Sequence, residues 1–190
     1  MTLSILICTL EERLSEYMKL VESLVDQIKD KIGVVEVLVE SDNGGVTTGA
    51  KRNKLLERAK GRYVCWVDDD DEIAPYYIEE ILKAAEFDCD CIGISGYMTT
   101  NGANEIGWEL SKYFQNDTTI RDGKPFYIRK TNHISPVKRE LALQTMFPDK
   151  SNGEDKDYSD RLNPLLKTEY KITMPDMYHY KFSSFNKAYK

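Results

Sequence analysis

The run Tyr63-Val64-Cys65-Trp66-Val67-Asp68-Asp69-Asp70-Asp71-Glu72 decides how this chain folds. Five apolar residues, preceded closely by Gly61 and followed by five consecutive carboxylates, predict a buried strand that ends in an acidic turn. Such a strand delivers hard oxygen ligands to the carboxyl edge of a sheet, which is where α/β proteins bind ligands. Like charges this close repel one another, so the cluster is not there for stability. A divalent cation such as Mg²⁺ or Mn²⁺ would relieve the repulsion, held by one or two carboxylates while substrate phosphates complete its shell. A solvated acidic turn and a Ca²⁺ loop are the alternatives, but acidic turns seldom follow a buried strand so abruptly.

Working outward, the first half alternates strand and helix. Leu3-Ser4-Ile5-Leu6-Ile7-Cys8 is an apolar run, and Leu14, Tyr17, Met18, Val21, Leu24, Val25 and Ile28 then recur at helical spacing. Gly33 stops that helix and Val34-Val35-Glu36-Val37-Leu38-Val39 forms a second strand. The Gly-rich segment 41–49 leads into a helix holding Leu55, Leu56 and Ala59. After the acidic turn, Pro75 opens a helix with Ile78, Ile81, Leu82 and Ala85 on its core face. This alternation predicts an α/β fold, a Rossmann-like and mostly parallel sheet flanked by crossover helices.

The second half is less regular. Residues 91–98 read as one more strand, and 99–130 as antiparallel hairpins with turns at Asn101-Gly102 and Asp122-Gly123. Residues 138–146 and 155–166 read as helices, and the chain from Asp176 onward as a polar, aromatic tail. No repeat or linker divides the 190 residues, which read as one domain.

Composition excludes several classes. With 41% hydrophobic and 31% charged residues, disorder is ruled out, and a formal charge of −6 gives no indication of nucleic acid as a partner. No apolar run approaches the roughly 20 residues that span a bilayer, and no signal pattern follows Met1, so the expected location is cytoplasmic. Cys8 and Cys65 lie in core strands, and Cys89 and Cys91 lack the spacing of a zinc site, so reduced thiols are expected.

Five segments in order now carry a resemblance: Leu3-Ser4-Ile5-Leu6-Ile7-Cys8-Thr9, Glu36-Val37-Leu38-Val39-Glu40-Ser41-Asp42, Gly49-Ala50-Lys51-Arg52-Asn53, Asp68-Asp69-Asp70-Asp71 and Asn152-Gly153-Glu154-Asp155. Together they resemble the family 2 type of GT-A glycosyltransferases, over essentially the whole chain. The resemblance implies a GT-A catalytic domain over 1–190, with donor and metal bound by 1–98 and acceptor by 99–190. It further implies inverting transfer of a sugar from a nucleotide-diphosphate donor, a UDP-sugar first, to a hydroxyl of a glycan or other acceptor, with Mn²⁺ or Mg²⁺ under the diphosphate.

That chemistry needs a cation at a leaving diphosphate and a base on the opposite face of the sugar. In similar enzymes the last Asp of the Asp-x-Asp ligates the metal and the first meets the ribose, which assigns Asp70 to the metal and Asp68 to the nucleoside. Asp69 and Asp71 leave the register open, because a one-residue slip exchanges the two sets. Thr9 and Glu11 follow the first strand and Glu40 and Asp42 the second, so both pairs reach one sheet edge, where a carboxylate can accept the N3–H of uracil. Here Glu40-Ser41-Asp42-Asn43 stands where the family usually has Asp-Asp-Gly-Ser, and either carboxylate is a candidate. Thr9 is equally suited to cap a helix, with Glu12 closing a capping box. Lys51 and Arg52 open the next helix and can meet the donor, or pair with the acidic cluster.

For the base, Asp155 matches the last residue of the family's Glu-Asp motif, with Glu154 orienting a neighbouring group. By the same resemblance, His179 is a candidate further metal ligand and His133 an acceptor-side residue. Trp66 reads as core, and Trp108 as a sugar-stacking platform or a satellite core residue. Two other classes compete. A nucleotidyltransferase would carry a Gly-rich basic loop after the first strand, where this chain has Thr9-Leu10-Glu11-Glu12. A non-catalytic carbohydrate- or Ca²⁺-binding module would have no use for the distant Glu-Asp.

Overall fold

The computed structural model describes residues 1–183 and contains two six-stranded sheets. In chain order the first half supplies β1 (Leu3–Leu10), α1 (Leu14–Ile28), β2 (Val35–Asp42), α2 (Thr48–Arg58), β3 (Tyr63–Trp66), β4 (Glu72–Ile73), α3 (Tyr77–Ala85) and β5 (Cys91–Gly93). There follow β6 (Ser95–Thr100), β7 (Ala103–Leu110), β8 (Asp117–Arg121), β9 (Lys124–Arg129), β10 (Val137–Lys138), α4 (Arg139–Thr145), α5 (Glu154–Leu162), β11 (Glu169–Lys171) and β12 (Tyr178–Phe182).

The first sheet runs β11-β5-β10-β3-β1-β2. Its β2-β1-β3 part is parallel, with Leu6 opposite Leu38 on one side and Trp66 on the other, as the alternation of strands and helices requires. β1 is buried on both faces. Leu3, Ile5 and Ile7 join Leu20, Leu24, Ile78 and Ile81 in one core, while Leu6 joins Leu55, Leu56, Trp66, Phe147 and Tyr158 in the other. That two-sided burial is why the segment reads as an unbroken apolar run. Trp66 is core, packed edge-on against Phe147 at 5.0 Å and Tyr158 at 5.8 Å.

The second sheet runs β4-β12-β6-β7-β9-β8. Asn101-Gly102 and Asp122-Gly123 do close hairpins, all four residues having positive φ as two-residue turns of this type demand. The expected single strand over 91–98 is instead two: β5 ends at Gly93 in the first sheet and β6 begins at Ser95 in the second, with Ile94 at the corner. Three further expectations are corrected. β7 and β9 pair in parallel, so the region is not wholly antiparallel. Over 176–183 the chain is not a tail but carries β12, which lies between β4 and β6, and the rest of the expected tail, 184–190, lies outside the described residues. The helix after Pro75 starts at Tyr77, and α5 spans Glu154–Leu162 before a 3₁₀ turn at Asn163–Leu165. The sheets do not divide at residue 98, since β4 belongs to the second and β10 and β11 to the first. Among the described residues no helix is long and apolar enough to cross a membrane.

β12 can sit beside β6 only because position 96 is glycine. A Cβ on Gly96 would lie 2.0 Å from the Tyr178 carbonyl oxygen and 2.6 Å from the Trp108 ring. Gly96→Ala is therefore expected to destabilise the chain by about 1–3 kcal/mol, read as a lower midpoint in urea unfolding.

Candidate active site

The acidic turn follows β3 directly, and its four aspartates separate into two pairs. Asp69 and Asp71 are buried, whereas Asp68 and Asp70 are about one-third exposed. Asp68 and Asp70 are thus the exposed pair of the turn. Asp69 accepts a hydrogen bond from the Thr9 hydroxyl at 2.7 Å and pairs with Arg13 at 2.9 Å. Asp71 accepts from the Tyr178 hydroxyl at 2.7 Å and from the Lys181 N–H at 2.8 Å. The same Tyr178 oxygen accepts the Asp68 N–H at 3.1 Å, so β12 braces the turn from beneath. Thr9 is not a helix cap. The turn after β1, Glu11–Arg13, has Leu10 at its cap position and no side-chain bond there.

The surroundings push the carboxyls apart in acidity. Burial raises Asp69 to about 6, against the relief given by Thr9 and Arg13. Burial and the neighbouring Asp68 raise Asp71 well above the usual range. Burial acts on Asp68 too, but His133 and Arg52 outweigh it and hold that carboxyl far below the usual range. His133 itself is buried, with Nε2 3.5 Å from an Asp68 oxygen, and so lies under the aspartates.

Arg52 connects this turn to the second motif. Its guanidinium is buried, donates to Asp68 at 3.2 Å and to Glu154 at 3.0 Å, and lies over the Phe147 ring at 5.3 Å. The helix that carries it is fixed at its start. Thr47 caps α2 by accepting the Ala50 N–H at 3.1 Å, and it donates to Asp149 at 2.5 Å. Gly49 donates to the Lys150 carbonyl at 3.1 Å, and any Cβ there would strike the Pro148 oxygen at 1.9 Å. Asn53 exchanges two hydrogen bonds with the Phe147 backbone, at 2.9 and 2.7 Å. The loop that leads into α5 is thus latched onto the helix bearing Arg52.

Lys51, also buried, donates to Asp42 at 2.6 Å and to the Thr9 carbonyl at 3.2 Å. Asp42 further accepts the N–H groups of Gly44 and Val46. Burial pushes the Asp42 carboxyl up, but Lys51 and those N–H groups hold it below the usual range. Thr9, Asp42, Lys51, Arg52, Asp68 and Asp69 therefore converge at the carboxyl edge of β1, β2 and β3. The structure does not bring Glu40 and Glu11 into this group. Glu40 pairs with Lys54 and Arg58 on the exposed flank of α2, and Glu11 is exposed on the turn after β1.

Asp155 stands at the start of α5 after Gly153, whose φ is 71°, and is partly exposed. It lines a cleft of about 430 Å³ together with Trp108, Tyr127, Lys130, Asn132 and Tyr180. Burial raises the Tyr180 hydroxyl to about 12, helped by Asp71, Asp68, Asp70 and Asp155, so this cleft adjoins the acidic turn. Trp108 is 6% exposed with its ring 6.0 Å from that of Tyr178, and is core with one edge on the cleft. The expectation for His179 is corrected. Its ring stacks on Tyr97 at 4.2 Å, with Nε2 at Thr99 and Nδ1 at Glu72, because strand alternation turns Tyr178 and Tyr180 toward the aspartates and His179 away. Three residues missed in the sequence, Arg13, Tyr178 and Tyr180, complete the site. The alternation Tyr178-His179-Tyr180 was the signal for two of them.

The chemistry of the donor set fits a hard divalent cation. Asp68 and Asp70 offer oxygens at a half-open edge. Among the described residues no group of three His, Cys, Asp or Glu side chains is arranged to hold a cation.

Comparison with known proteins agrees with this fold. The model of glycosyl transferase family 2 matches residues 18–141, which include Lys51, Arg52 and the aspartates and end before Asp155. The putative glycosyltransferase EpsH of Bacillus subtilis (strain 168) is 36% identical over 55 residues, 29% of this chain and 15% of that protein. The crystal structure of S. aureus TarS 1-349 superposes with a TM-score of 0.68 at 15% identity, over 95% of this chain and 60% of that one. Its complex with UDP gives 0.70 at 17% identity, over 96% and 61%, and its complex with UDP-GlcNAc 0.68 at 16%, over 95% and 58%. These likenesses show a shared GT-A fold, and the chain spans about three-fifths of the length of the TarS structures.

Two measurements test the acidic turn. Tyr178→Phe leaves the Asp71 carboxyl and the Asp68 N–H short of a partner, and is expected to cost about 1–3 kcal/mol in denaturant unfolding. The second concerns pH in metal-free protein. Between the usual 3.8 and its folded value of about 6, Asp69 holds a proton in the folded chain that the unfolded chain has lost. Its contribution to stability is therefore present at low pH and is lost as the pH rises through 6. The melting temperature of Asp69→Asn is expected to fall less between pH 4.5 and pH 7 than that of the unaltered chain.

Proposed function

Because the chain belongs to glycosyl transferase family 2, we propose that it moves a sugar from a nucleotide-diphosphate donor, a UDP-sugar, to an acceptor hydroxyl with inversion. The observation that carries this reading is the buried Arg52, which ties Asp68 of the acidic turn to Glu154 beside Asp155. Donor and acceptor chemistry thereby share one rigid frame. The choice of UDP is supported by the TarS structures of the same fold that hold UDP and UDP-GlcNAc.

In this reading Asp68, with Thr9, Asp42 and Lys51 behind it, receives the nucleoside at the carboxyl edge of β1 and β2. Asp70 would hold Mn²⁺ or Mg²⁺, which when bound offsets the negative charge growing on the leaving diphosphate. The acceptor, a glycan or another hydroxyl compound, lies in the cleft between Asp155, Trp108 and Tyr180. Asp155 takes the proton from the attacking hydroxyl, and being partly exposed it is within reach of the acceptor. Glu154 acts through Arg52 and does not meet the acceptor. Residues 1–98 thus supply most of the donor and metal contacts and 99–190 the acceptor side and base, within one catalytic domain. Four free thiols support assigning the reaction to a reducing compartment, the cytoplasm.

A screen of UDP-, GDP- and dTDP-sugars for slow metal-dependent hydrolysis identifies the donor, with UDP-sugars expected to react. Against that donor, Asp155→Asn keeps the shape and removes the proton acceptor. Transfer is expected to fall by a factor on the order of 10² to 10⁴ with UDP affinity unchanged. A near-normal rate would reject Asp155 as the base, and collapse of UDP binding would move it to the donor site.

A further inference from the structure

The half-exposed Asp70 is paired with a cation that the chain itself supplies. Arg13 ends the single 3₁₀ turn after β1, and its Nη2 atom is shared between Asp69, at 2.9 Å, and Asp70. Asp69 is almost wholly buried, whereas Arg13 and Asp70 are each about 30% exposed. The charge on Arg13 therefore stands on the outer, solvent-side carboxylate, the one oriented to receive a metal. A guanidinium and a divalent cation cannot share that carboxylate without close like-charge repulsion. An entering cation must displace Arg13 from Asp70, and an anion that arrives with the cation can receive the freed guanidinium. A diphosphate is such an anion, planar guanidinium and phosphate oxygens being well matched.

We propose that Arg13 is the resident counter-cation of Asp70 and a gate on metal loading. The divalent cation enters as a pair with a nucleoside diphosphate, and the diphosphate takes over the guanidinium as the metal takes over the carboxylate. Arg13 is then a positioning residue for the donor. The inference rests on the reading of Asp70 as the metal-holding residue, but its test does not depend on sugar transfer.

The test is Mn²⁺ titration of the full chain, followed by calorimetry and by the Mn²⁺ paramagnetic resonance signal, with and without UDP. The unaltered chain should bind Mn²⁺ weakly alone and much more tightly with UDP. Arg13→Gln should bind Mn²⁺ alone on the order of tenfold more tightly, with a correspondingly smaller gain from UDP. Arg13→Lys, which keeps the charge, should stay within about threefold of the unaltered chain for Mn²⁺ alone. Unchanged Mn²⁺ affinity in Arg13→Gln, absence of Mn²⁺ binding by both chains, or equal tightening in Arg13→Lys and Arg13→Gln overturns the proposal. The last result would mean that only the turn had loosened. A chain that shows the expected Mn²⁺ pattern yet transfers no sugar keeps this proposal and rejects the transferase reading. Normal transfer with unchanged Mn²⁺ binding does the reverse.

Discussion

The buried guanidinium of Arg52 is the constraint on which the rest of the site depends. A charge held away from water is tolerated only if partners replace its hydration, and removal of one partner of a buried pair typically costs about 3–5 kcal/mol. Arg52 has two carboxylate partners, Asp68 from the turn after β3 and Glu154 from the start of α5, and an aromatic face in Phe147. Neither motif can shift alone without stranding the guanidinium. The latch between α2 and the 147–151 loop serves the same end, since Asn53 and Gly49 hold the backbone that leads to Glu154. Precision at a site that spans distant parts of the chain thus comes from one desolvated charge rather than from many surface contacts.

The same economy governs the four aspartates. Adjacent carboxylates repel one another, and the fold separates them by facing. Asp69 and Asp71 point inward, where burial raises their pKa and the hydroxyls of Thr9 and Tyr178 donate to them, while Asp68 and Asp70 are about one-third exposed. β12 is essential to this division, because Tyr178 and the Lys181 N–H both serve Asp71. Gly96 in turn admits β12 to the sheet. A glycine in one strand is therefore linked, through the strand it lets in, to the electrostatics of a turn elsewhere in the chain.

What the sequence revealed follows from how local each signal was. The β2-β1-β3 core was legible because its strands are buried on both faces and its helices keep a clear period. The two hairpin turns were legible because Asn-Gly and Asp-Gly state a backbone conformation by themselves. β4, β10 and β11 were missed, since two or three residues carry no period and exist as strands only through partners far away. β12 was read as a tail because its aromatic and polar alternation lacks an apolar stripe, although that alternation is what puts Tyr178 and Tyr180 on one face, the first buried and the second lining the cleft. Four identical residues in Asp68–Asp71 could not declare their own register. It took Thr9, Tyr178 and Lys181, all remote in sequence, to decide which two are buried.

Two arginines meet this acidic turn, and their difference is physical rather than positional. Arg52 is buried with two carboxylates, so it can neither leave nor be replaced by water, and it belongs to the frame. Arg13 reaches the turn from a three-residue 3₁₀ segment and remains about 30% exposed, so water can compensate it when it moves. The burial of its partners sharpens the contrast. Asp69 keeps the Thr9 hydroxyl when Arg13 departs, while the more exposed Asp70 can take up another cation in its place. A turn built this way has one arginine that sets geometry and one that sets occupancy, and it is the depth of each side chain that assigns the role.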